Sequence, residues 1–253
     1  MTLQKLRELA EQAAIKGGEA IIEVYNSDDF GVETKDDNSP LTKADKNAHL
    51  AIMEFLTQTD IPVLSEEGRA IPFEERKDWD RLWIVDPLDG TKEFIKRNGE
   101  FTVNIALIEK GVPIMGIIYV PVKEQLYSGL VGSGCTKTEN GKTIDLPIPK
   151  GDRNFRAVGS RSHMSAETEA YFNELKAEHG EVEVVSMGSS LKICLVAEGV
   201  ADVYPRFAPT MEWDTAAGHG IANAAGKNLM DYSTQKEMVY NREELLNNWF
   251  IVS

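Results

Sequence analysis

The segment Trp83-Ile84-Val85-Asp86-Pro87-Leu88-Asp89-Gly90-Thr91 is the stretch of this sequence that decides the fold. Its apolar first half is typical of a short buried strand, and its proline and glycine are predicted to end that strand in a tight turn. Asp86 and Asp89 therefore project from one strand end. Two carboxylates so close repel each other and are costly to desolvate unless a cation lies between them. The segment predicts a divalent metal site, beside which Gly90 and Thr91 offer backbone N–H groups and a hydroxyl to an anion.

The composition is that of a globular protein, with 42% hydrophobic and 27% charged residues among 253. This length accommodates one large domain or two smaller ones. The formal net charge of −14 argues against nucleic-acid binding, which requires a basic surface. It is compatible with a small anionic substrate, because bound metal ions would invert the local field.

Signals for a membrane or an oxidising compartment are not apparent in the sequence. No apolar run approaches the roughly 20 residues of a membrane helix, so we expect no membrane anchor. The polar, amphipathic stretch 1–11 does not resemble a signal peptide. Cys135 and Cys194 lie far apart and suggest neither a disulfide framework nor a zinc site, so we expect buried thiols in a reducing cytoplasm. Peripheral association with the inner membrane stays open, and we expect a monomer or a homodimer.

A segment rich in Gly, Lys, Thr and Pro at 132–152 predicts a boundary between an N-terminal α+β domain, 1–148, and a C-terminal α/β domain, 149–253. In the first domain we predict helices over 3–25 and 42–58, a mobile hairpin or loop over 26–41, and strands over 61–64, 82–86, 101–109, 112–120 and 125–129. Thr42 is predicted to cap its helix together with Asp45. In the second domain we predict strands over 156–160, 183–186 and 201–204, and helices over 166–179, 189–198 and 214–225.

Acidic residues recur at three predicted element boundaries that are far apart in the sequence. They are Glu66 with Glu67, Asp86 with Asp89, and Asp214 at a predicted helix N-cap. Taken singly, such residues are more often a solvated loop, a turn or a simple helix cap. The combination favours a functional site, because each acid follows an apolar strand or opens a helix rich in Ala and Gly.

Four ordered motifs of the chain resemble those of the inositol monophosphatase superfamily. They occupy residues 39–45, 64–67, 83–91 and 213–218. Within the superfamily the chain is most similar to the bacterial 3′(2′),5′-bisphosphate nucleotidases, through residues 159–163, 188–192 and 201–206. The resemblance implies an α/β (α+β) fold, a layered α-β-α-β-α sandwich. It also implies Mg²⁺-dependent hydrolysis of a phosphomonoester, with inhibition by Li⁺.

The resemblance assigns the metal ligands residue by residue. One Mg²⁺ would be held by Glu66, Asp86 and the carbonyl of Leu88. A second would be held by Asp86, Asp89 and Asp214. Glu67 would not be a direct ligand. Oxygen ligands of this kind are the ones that Mg²⁺ prefers.

The resemblance also assigns residues to the attacking water and to the substrate. The water would be oriented and deprotonated by Asp45, Thr91 and Glu66, and phosphate oxygens would be held by Gly90 and Thr91. The nucleotide would be bound by His163, Gly188, Lys192 and Arg206. Without the family, Lys192 could equally be a solvated helix residue and Arg206 a surface ion pair. We expect structural or surface positions for His49, His179 and His219.

The implied reaction is hydrolysis of adenosine 3′,5′-bisphosphate to AMP and phosphate, in sulfur assimilation. Adenosine 3′-phosphate 5′-phosphosulfate stays open as a second substrate. The alternative enzyme is an inositol monophosphatase or a sugar-bisphosphate phosphatase on the same scaffold. The other alternative is a non-catalytic phosphonucleotide-binding regulator. Thr91 and Asp45 argue against that alternative, because a pure binding protein needs no pair of residues to orient water.

Overall fold

The structure, a computed structural model, describes residues 1–27, 30–34, 40–159 and 165–253, which form seven α-helices and fifteen strands. Helices α1–α7 span Leu3–Tyr25, Lys43–Leu56, Phe73–Arg76, Thr91–Ile95, Ala166–His179, Leu191–Ala197 and Glu212–Ala224. Strands β1–β9 span Glu33–Thr34, Pro40–Leu41, Val63–Ser65, Arg81–Asp89, Thr102–Glu109, Val112–Val120, Gln125–Leu130, Gly134–Glu139 and Lys142–Leu146. Strands β10–β15 span Phe155–Val158, Val182–Val185, Tyr204–Arg206, Leu229–Asp231, Lys236–Glu237 and Phe250–Val252.

The larger sheet has seven strands in the order β3-β4-β5-β6-β7-β8-β9. Strand β3 runs parallel to β4 and the other neighbours are antiparallel, so the sheet is mixed. Side chains alternate between its faces: Leu82 and Ile84 pack in one core, and Trp83 and Val85 pack in the other. Because both faces of this sheet are covered by other elements, the first part of β4 is a continuous run of apolar residues in the sequence.

The elements stack in five layers. Helices α1 and α2 pack together against the face of the large sheet that carries Trp83 and Val85. Helices α6 and α7 cover the opposite face, and a second sheet, β12-β15-β13-β14, packs on them. Helix α5 lies outermost, against the parallel pair β10–β11 and strand β12. The predicted α-β-α-β-α sandwich is therefore confirmed.

Helix α7 lies very close to the large sheet because glycines line the contact. A Cβ on Gly116 of β6 would lie 2.0 Å from the carbonyl oxygen of Ala217, and a Cβ on Gly220 would lie 2.7 Å from the backbone of Met115. Only glycine lets two backbones approach so closely. The position of α7, and of any side chain at its N-terminus, is thus set by direct backbone contact with β6.

Several local predictions are confirmed. Helices α1 and α5 have the predicted bounds. Helix α2 begins after Thr42, whose N–H donates to Asp45 Oδ2 at 2.7 Å, which completes the predicted capping box. Cys135 and Cys194 are buried free thiols, and burial raises the pKa of Cys135 to about 12. Among the described helices, none combines the length and the apolar character needed to cross a membrane.

Other local predictions are wrong. Two strands in the segment 132–152, β8 and β9, were not predicted, and they extend the large sheet to Leu146. The strand predicted over 201–204 is Tyr204–Arg206. Strands β13–β15 were not predicted. By contrast, the antiparallel pair β1–β2 agrees with the hairpin that was one alternative predicted for 26–41, where residues 28–29 and 35–39 lie outside the described residues. The domain division between 148 and 149 stays a prediction.

The buried His219 of α7 forms hydrogen bonds with the C-terminal segment of the chain. His219 has no solvent-exposed surface, and its two ring nitrogens lie 3.1 Å from the Tyr240 hydroxyl and 3.0 Å from Glu237 Oε1. Burial lowers the pKa of His219, while its hydrogen bond to Glu237 opposes that change. His219 therefore links α7 to the hairpin strand β14.

Candidate active site

Asp86 and Asp89 lie at the end of β4, where the strand passes through a bulge. The prediction that Pro87 ends the strand is wrong, since pairing with β5 resumes at Asp89 after a shift of register. A bulge tolerates proline because the backbone there is not required to donate to the ladder. The N–H of Leu88 instead donates to Asp86 Oδ1 at 3.0 Å, which fixes that carboxylate.

Asp214 lies in the first turn of α7. It occupies the third helical position, and the N-cap is Met211, so the prediction of Asp214 as N-cap is wrong. Asp214 Oδ2 accepts a hydrogen bond from the Met211 N–H at 2.8 Å. An acidic residue at the third helical position typically caps the helix N-terminus in this way. The helix begins earlier than predicted because buried Glu212 accepts the N–H groups of Asn241 and Arg242 and fixes the first turn to the C-terminal segment.

The three aspartates converge. Asp86, Asp89 and Asp214 each offer a carboxylate oxygen, and these oxygens all lie within 4.8 Å of one another. Burial, together with the charges of Glu66, Asp89 and Asp214, raises the pKa of Asp86 well above its ordinary value. Burial and the charge of Asp89 raise the pKa of Asp214 to about 8. A divalent cation would relieve this repulsion, and a donor set made of oxygens fits Mg²⁺ or another hard cation.

Glu66 belongs to the same cluster. Its N–H donates to the carbonyl of Val85 at 3.1 Å, which anchors it beside β4. Its charge and a hydrogen bond between the two carboxyl groups both contribute to the raised pKa of Asp86. The charge of the neighbouring Glu67 acts on His49, whose pKa is lowered by burial. The structure thus brings Glu66 to Asp86 and Glu67 toward His49.

The predicted water-orienting pair is in contact. The Thr91 hydroxyl donates to Asp45 Oδ1 at 3.4 Å, while Asp45 Oδ2 accepts from Thr42 at the start of α2. Thr91 is the first residue of α4, and Gly90 before it has φ 95°, a left-handed conformation that glycine adopts without strain. This turn places Thr91 between Asp45 and the carboxylates at the end of β4.

A polar network around Asp89 was not predicted from the sequence. Asp89 Oδ2 accepts hydrogen bonds of 2.6 Å from the Ser189 hydroxyl, the Ser190 N–H and the Ser190 hydroxyl. Behind them, Thr102 and Asn104 of β5 extend the network. The available signal was the pair of polar residues at alternate positions of an otherwise apolar strand, which places both on one face beside the end of β4.

Two adjoining cavities open beside the cluster. The first has a volume of about 200 Å³, and its walls include Asp89, Gly90, Ser190 and Asp214. The second has a volume of about 410 Å³ and includes Met187 and Phe207. Both are lined by Lys192, Tyr204 and Arg206. A ligand could therefore extend from the aspartates across these three side chains into the second cavity.

Lys192 and Arg206 give the boundary between the cavities a positive charge. Lys192 Nζ lies 3.4 Å from the Met187 carbonyl, and burial lowers its pKa while the charge of Asp89 opposes that change. Arg206 donates to the Pro209 carbonyl at 3.3 Å, and its buried Nε has no hydrogen-bond partner among the described residues. Neither side chain forms an ion pair within the described part of the chain, so an anion in the cavity would be well placed to meet both.

Of the two remaining residues predicted to bind the nucleotide, only Gly188 belongs to the described residues. Gly188 lies next to Ser189, but its N–H donates to Glu100 Oε2 at 2.7 Å, and it is not among the residues that form the cavity walls. His163 lies outside the described residues. The metal, water and substrate roles of all the predicted site residues stay predictions, although the geometry brings most of the residues together.

The chain matches the model of the inositol monophosphatase family over residues 2–251. It therefore belongs to the inositol monophosphatase family, whose members are metal-dependent phosphatases. The 3′(2′),5′-bisphosphate nucleotidase CysQ of Escherichia coli (strain K12) is 50% identical over 245 residues, which cover 96% of this chain and 97% of that protein.

Solved structures agree with this assignment. The crystal structure of CysQ from Bacteroides thetaiotaomicron is 53% identical and superposes with a TM-score of 0.91, covering 99% of this chain and 97% of that one. The extragenic suppressor protein suhB from Bartonella henselae is 25% identical with a TM-score of 0.77, covering 98% and 93%. The family and the fold class predicted from the sequence are thereby confirmed.

Proposed function

We propose that this protein is a 3′(2′),5′-bisphosphate nucleotidase that hydrolyses adenosine 3′,5′-bisphosphate to AMP and phosphate. The observation that carries the proposal is the cluster of aspartates beside a cavity that also contains Lys192 and Arg206. A substrate with two phosphates needs a metal centre for the reacting group and fixed cations for the other. The similarity to CysQ nucleotidases at 50% and 53% identity supports the same substrate class.

The metal is proposed to be Mg²⁺, in two or more ions per site. Glu66, Asp86 and the Leu88 carbonyl would hold one ion, and Asp86, Asp89 and Asp214 would hold a second. When bound, Mg²⁺ neutralises phosphate charge and makes a coordinated water more acidic. The carboxylates bind it as oxygen donors, and hydrogen bonds from the N–H groups of Leu88 and Met211 hold two of them in fixed orientations.

Thr91, Asp45 and Glu66 are proposed to hold the attacking water. The Thr91 hydroxyl donates to Asp45, so its oxygen lone pairs are free to accept a hydrogen bond from the water. Asp45 cannot rotate away, because its other oxygen is fixed by the Thr42 N–H. Fixing the water in line with phosphorus lowers the entropic part of the barrier, which is the main contribution a protein makes in phosphoryl transfer.

The substrate is proposed to lie across both cavities. The N–H groups of Gly90 and Thr91 hold oxygens of the reacting phosphate. Lys192 and Arg206 bind the second phosphate, and the nucleoside occupies the adjoining cavity. The resemblance also assigns Gly188 and His163 to the nucleotide, and these two roles stay proposals. We also retain the proposals of a cytoplasmic location, a role in sulfur assimilation and a monomer or homodimer.

The test is phosphate release from a panel of phosphomonoesters, with and without Mg²⁺ and Li⁺. The panel contains adenosine 3′,5′-bisphosphate, adenosine 3′-phosphate 5′-phosphosulfate, inositol 1-phosphate and a sugar bisphosphate. We expect the highest kcat/KM on adenosine 3′,5′-bisphosphate, a requirement for Mg²⁺ and inhibition by Li⁺. Faster turnover of inositol 1-phosphate or of the sugar bisphosphate overturns the substrate assignment. Binding of nucleotide without phosphate release indicates a regulatory protein instead.

A further inference from the structure

Ser190 contacts both of the elements that carry the aspartate cluster. Its N–H and its hydroxyl each lie 2.6 Å from Asp89 Oδ2, at the end of β4. The same hydroxyl lies 2.8 Å from the carbonyl oxygen of Asp214, in the first turn of α7. Ser190 is only 4% exposed, so solvent does not substitute for these hydrogen bonds. One side chain thus spans the junction between the two halves of the cluster.

The Ser190 hydroxyl is oriented by the strand behind it. Asn104 Nδ2 donates to Ser190 Oγ at 2.9 Å, and the Thr102 hydroxyl donates to Asn104 Oδ1 at 2.8 Å. Since a hydroxyl has one proton, and Asn104 donates to its oxygen, the proton points to Asp89 or to the Asp214 carbonyl. The proton is therefore shared between the two acceptors in a three-centre hydrogen bond, in which the Asp89 carboxylate is the stronger acceptor and the Asp214 carbonyl the second.

The backbone before Ser190 is strained in a way that serves the same contact. Ser189 has φ 54°, in the left-handed region that is unfavourable for a residue with a Cβ. This conformation turns the Ser190 N–H toward Asp89, where it makes its 2.6 Å hydrogen bond. Strain of this kind persists where the surrounding contacts require it, and it is concentrated at functional sites.

We propose that Ser190 is a positioning residue of the metal centre, which fixes the separation of the Asp89 and Asp214 carboxylates and thereby sets the affinity for the second metal ion. Holding Asp89 Oδ2 leaves the other oxygen of that carboxylate for the ion. The inference rests on the proposed function only through the assignment of Asp89 and Asp214 as ligands. Groups that hold a ligand in place typically change metal affinity by about 10- to 100-fold.

The experiment is a calorimetric titration of Mg²⁺ into the metal-free protein, without substrate. We expect Ser190→Ala to weaken the second binding event by about 10-fold and to leave the first unchanged. Ser189→Ala is the matched control, because the Ser189 hydroxyl bonds to Asp89 but not to Asp214. Ser189→Ala should weaken the second Mg²⁺ binding event less than Ser190→Ala does. Ser190→Thr keeps the hydroxyl and should keep the affinity.

Thermal unfolding of the metal-free variants checks that each has folded. Should Ser190→Ala not fold, Ser190→Cys replaces it, since a thiol has nearly the same shape and is a weak donor. Mg²⁺ titrations that match the wild type in Ser190→Ala and Ser190→Cys overturn the proposal. So does an equal loss in Ser190→Thr and Ser190→Ala. Failure of the wild type to release phosphate from any ester overturns the proposed function and leaves these titrations interpretable.

Discussion

Asp89 uses its two carboxylate oxygens differently, and this gives a prediction for Asp89→Asn. The amide oxygen can replace Oδ2 as acceptor for Ser189 and Ser190, which places the NH₂ group where a metal ligand is needed. We expect the fold to be retained and phosphate release to fall by about 100-fold or more. Phosphate release and thermal unfolding measure the two effects. Asp60→Asn, at an exposed position, is the control. Near-normal activity of Asp89→Asn at low Mg²⁺ would show that Asp89 is not a ligand.

Lys192 lies between the two cavities, so its charge should affect the nucleotide more than the metal. A charge-assisted hydrogen bond contributes about 1.5–3 kcal/mol, which corresponds to about 10- to 100-fold in binding. We expect Lys192→Met to raise the KM for adenosine 3′,5′-bisphosphate by about that factor, with the Mg²⁺ dependence unchanged. Lys176→Met, on the exposed side of α5, is the matched control. An unchanged KM would place Lys192 outside the substrate site.

Individual site residues were predicted where a short stretch of sequence places reactive side chains next to one another. Asp86 and Asp89 stand out because two acids follow an apolar strand. Ser190 does not stand out, because a serine before a helix is an ordinary cap residue. Its contacts with Asp89 and Asn104 join residues that are 101 and 86 positions apart in the sequence, and no local sequence pattern indicates such contacts.

At the scale of elements, the approach of α7 to β6 determines where Asp214 lies, and Gly116→Ala tests this. The added Cβ would overlap the Ala217 carbonyl oxygen, which belongs to backbone and cannot move aside. We expect α7 to shift, with a loss of about 1–3 kcal/mol in the free energy of unfolding or more. Mg²⁺ affinity should fall as well, because Asp214 moves with the helix. Chemical denaturation and a Mg²⁺ titration measure the two quantities.

The control for Gly116→Ala is Gly17→Ala. A Cβ on Gly17 would also be crowded, at 2.9 Å, but against the Ile52 side chain, and this position is on α1, which does not carry a residue of the site. Gly17→Ala should therefore change stability without changing Mg²⁺ affinity. Equal losses of Mg²⁺ affinity in both variants would mean that α7 is not positioned by the Gly116 contact.

Helices and strands were predicted well where regularly spaced apolar residues indicate which face of the element is buried. The helical spacing of apolar residues gave α1 its bounds. Strand β9 was missed because four of its five residues are exposed, so its sequence lacks an apolar face. The bulge in β4 was missed because a proline ordinarily marks the end of a strand, and only pairing with β5 shows that the strand resumes.

For the whole molecule, alternating strands and helices indicated an α/β class, but the five layers followed only from the resemblance to a family. Layer order depends on which faces pack together, and those contacts join distant segments: α7 of the C-terminal part packs on β4–β7 of the N-terminal part. The same long-range packing brings Asp214 to Asp86 and Asp89. Buried like charges at this junction make stability depend on pH and on metal.

In the metal-free protein the pKa of Asp214 is raised to about 8, above an unfolded value near 3.8. Between these values the folded state holds a proton that the unfolded state has released, so the free energy of unfolding falls as pH rises. Mg²⁺ requires the ionised carboxylates, so its stabilising effect must grow over the same range. We expect thermal unfolding in a chelator to shift to lower temperature from about pH 6 to about pH 8.5, and the shift caused by saturating Mg²⁺ to increase. Asp214→Asn should weaken both trends. A Mg²⁺-induced shift that is independent of pH in the wild type would show that proton and metal do not compete for this cluster.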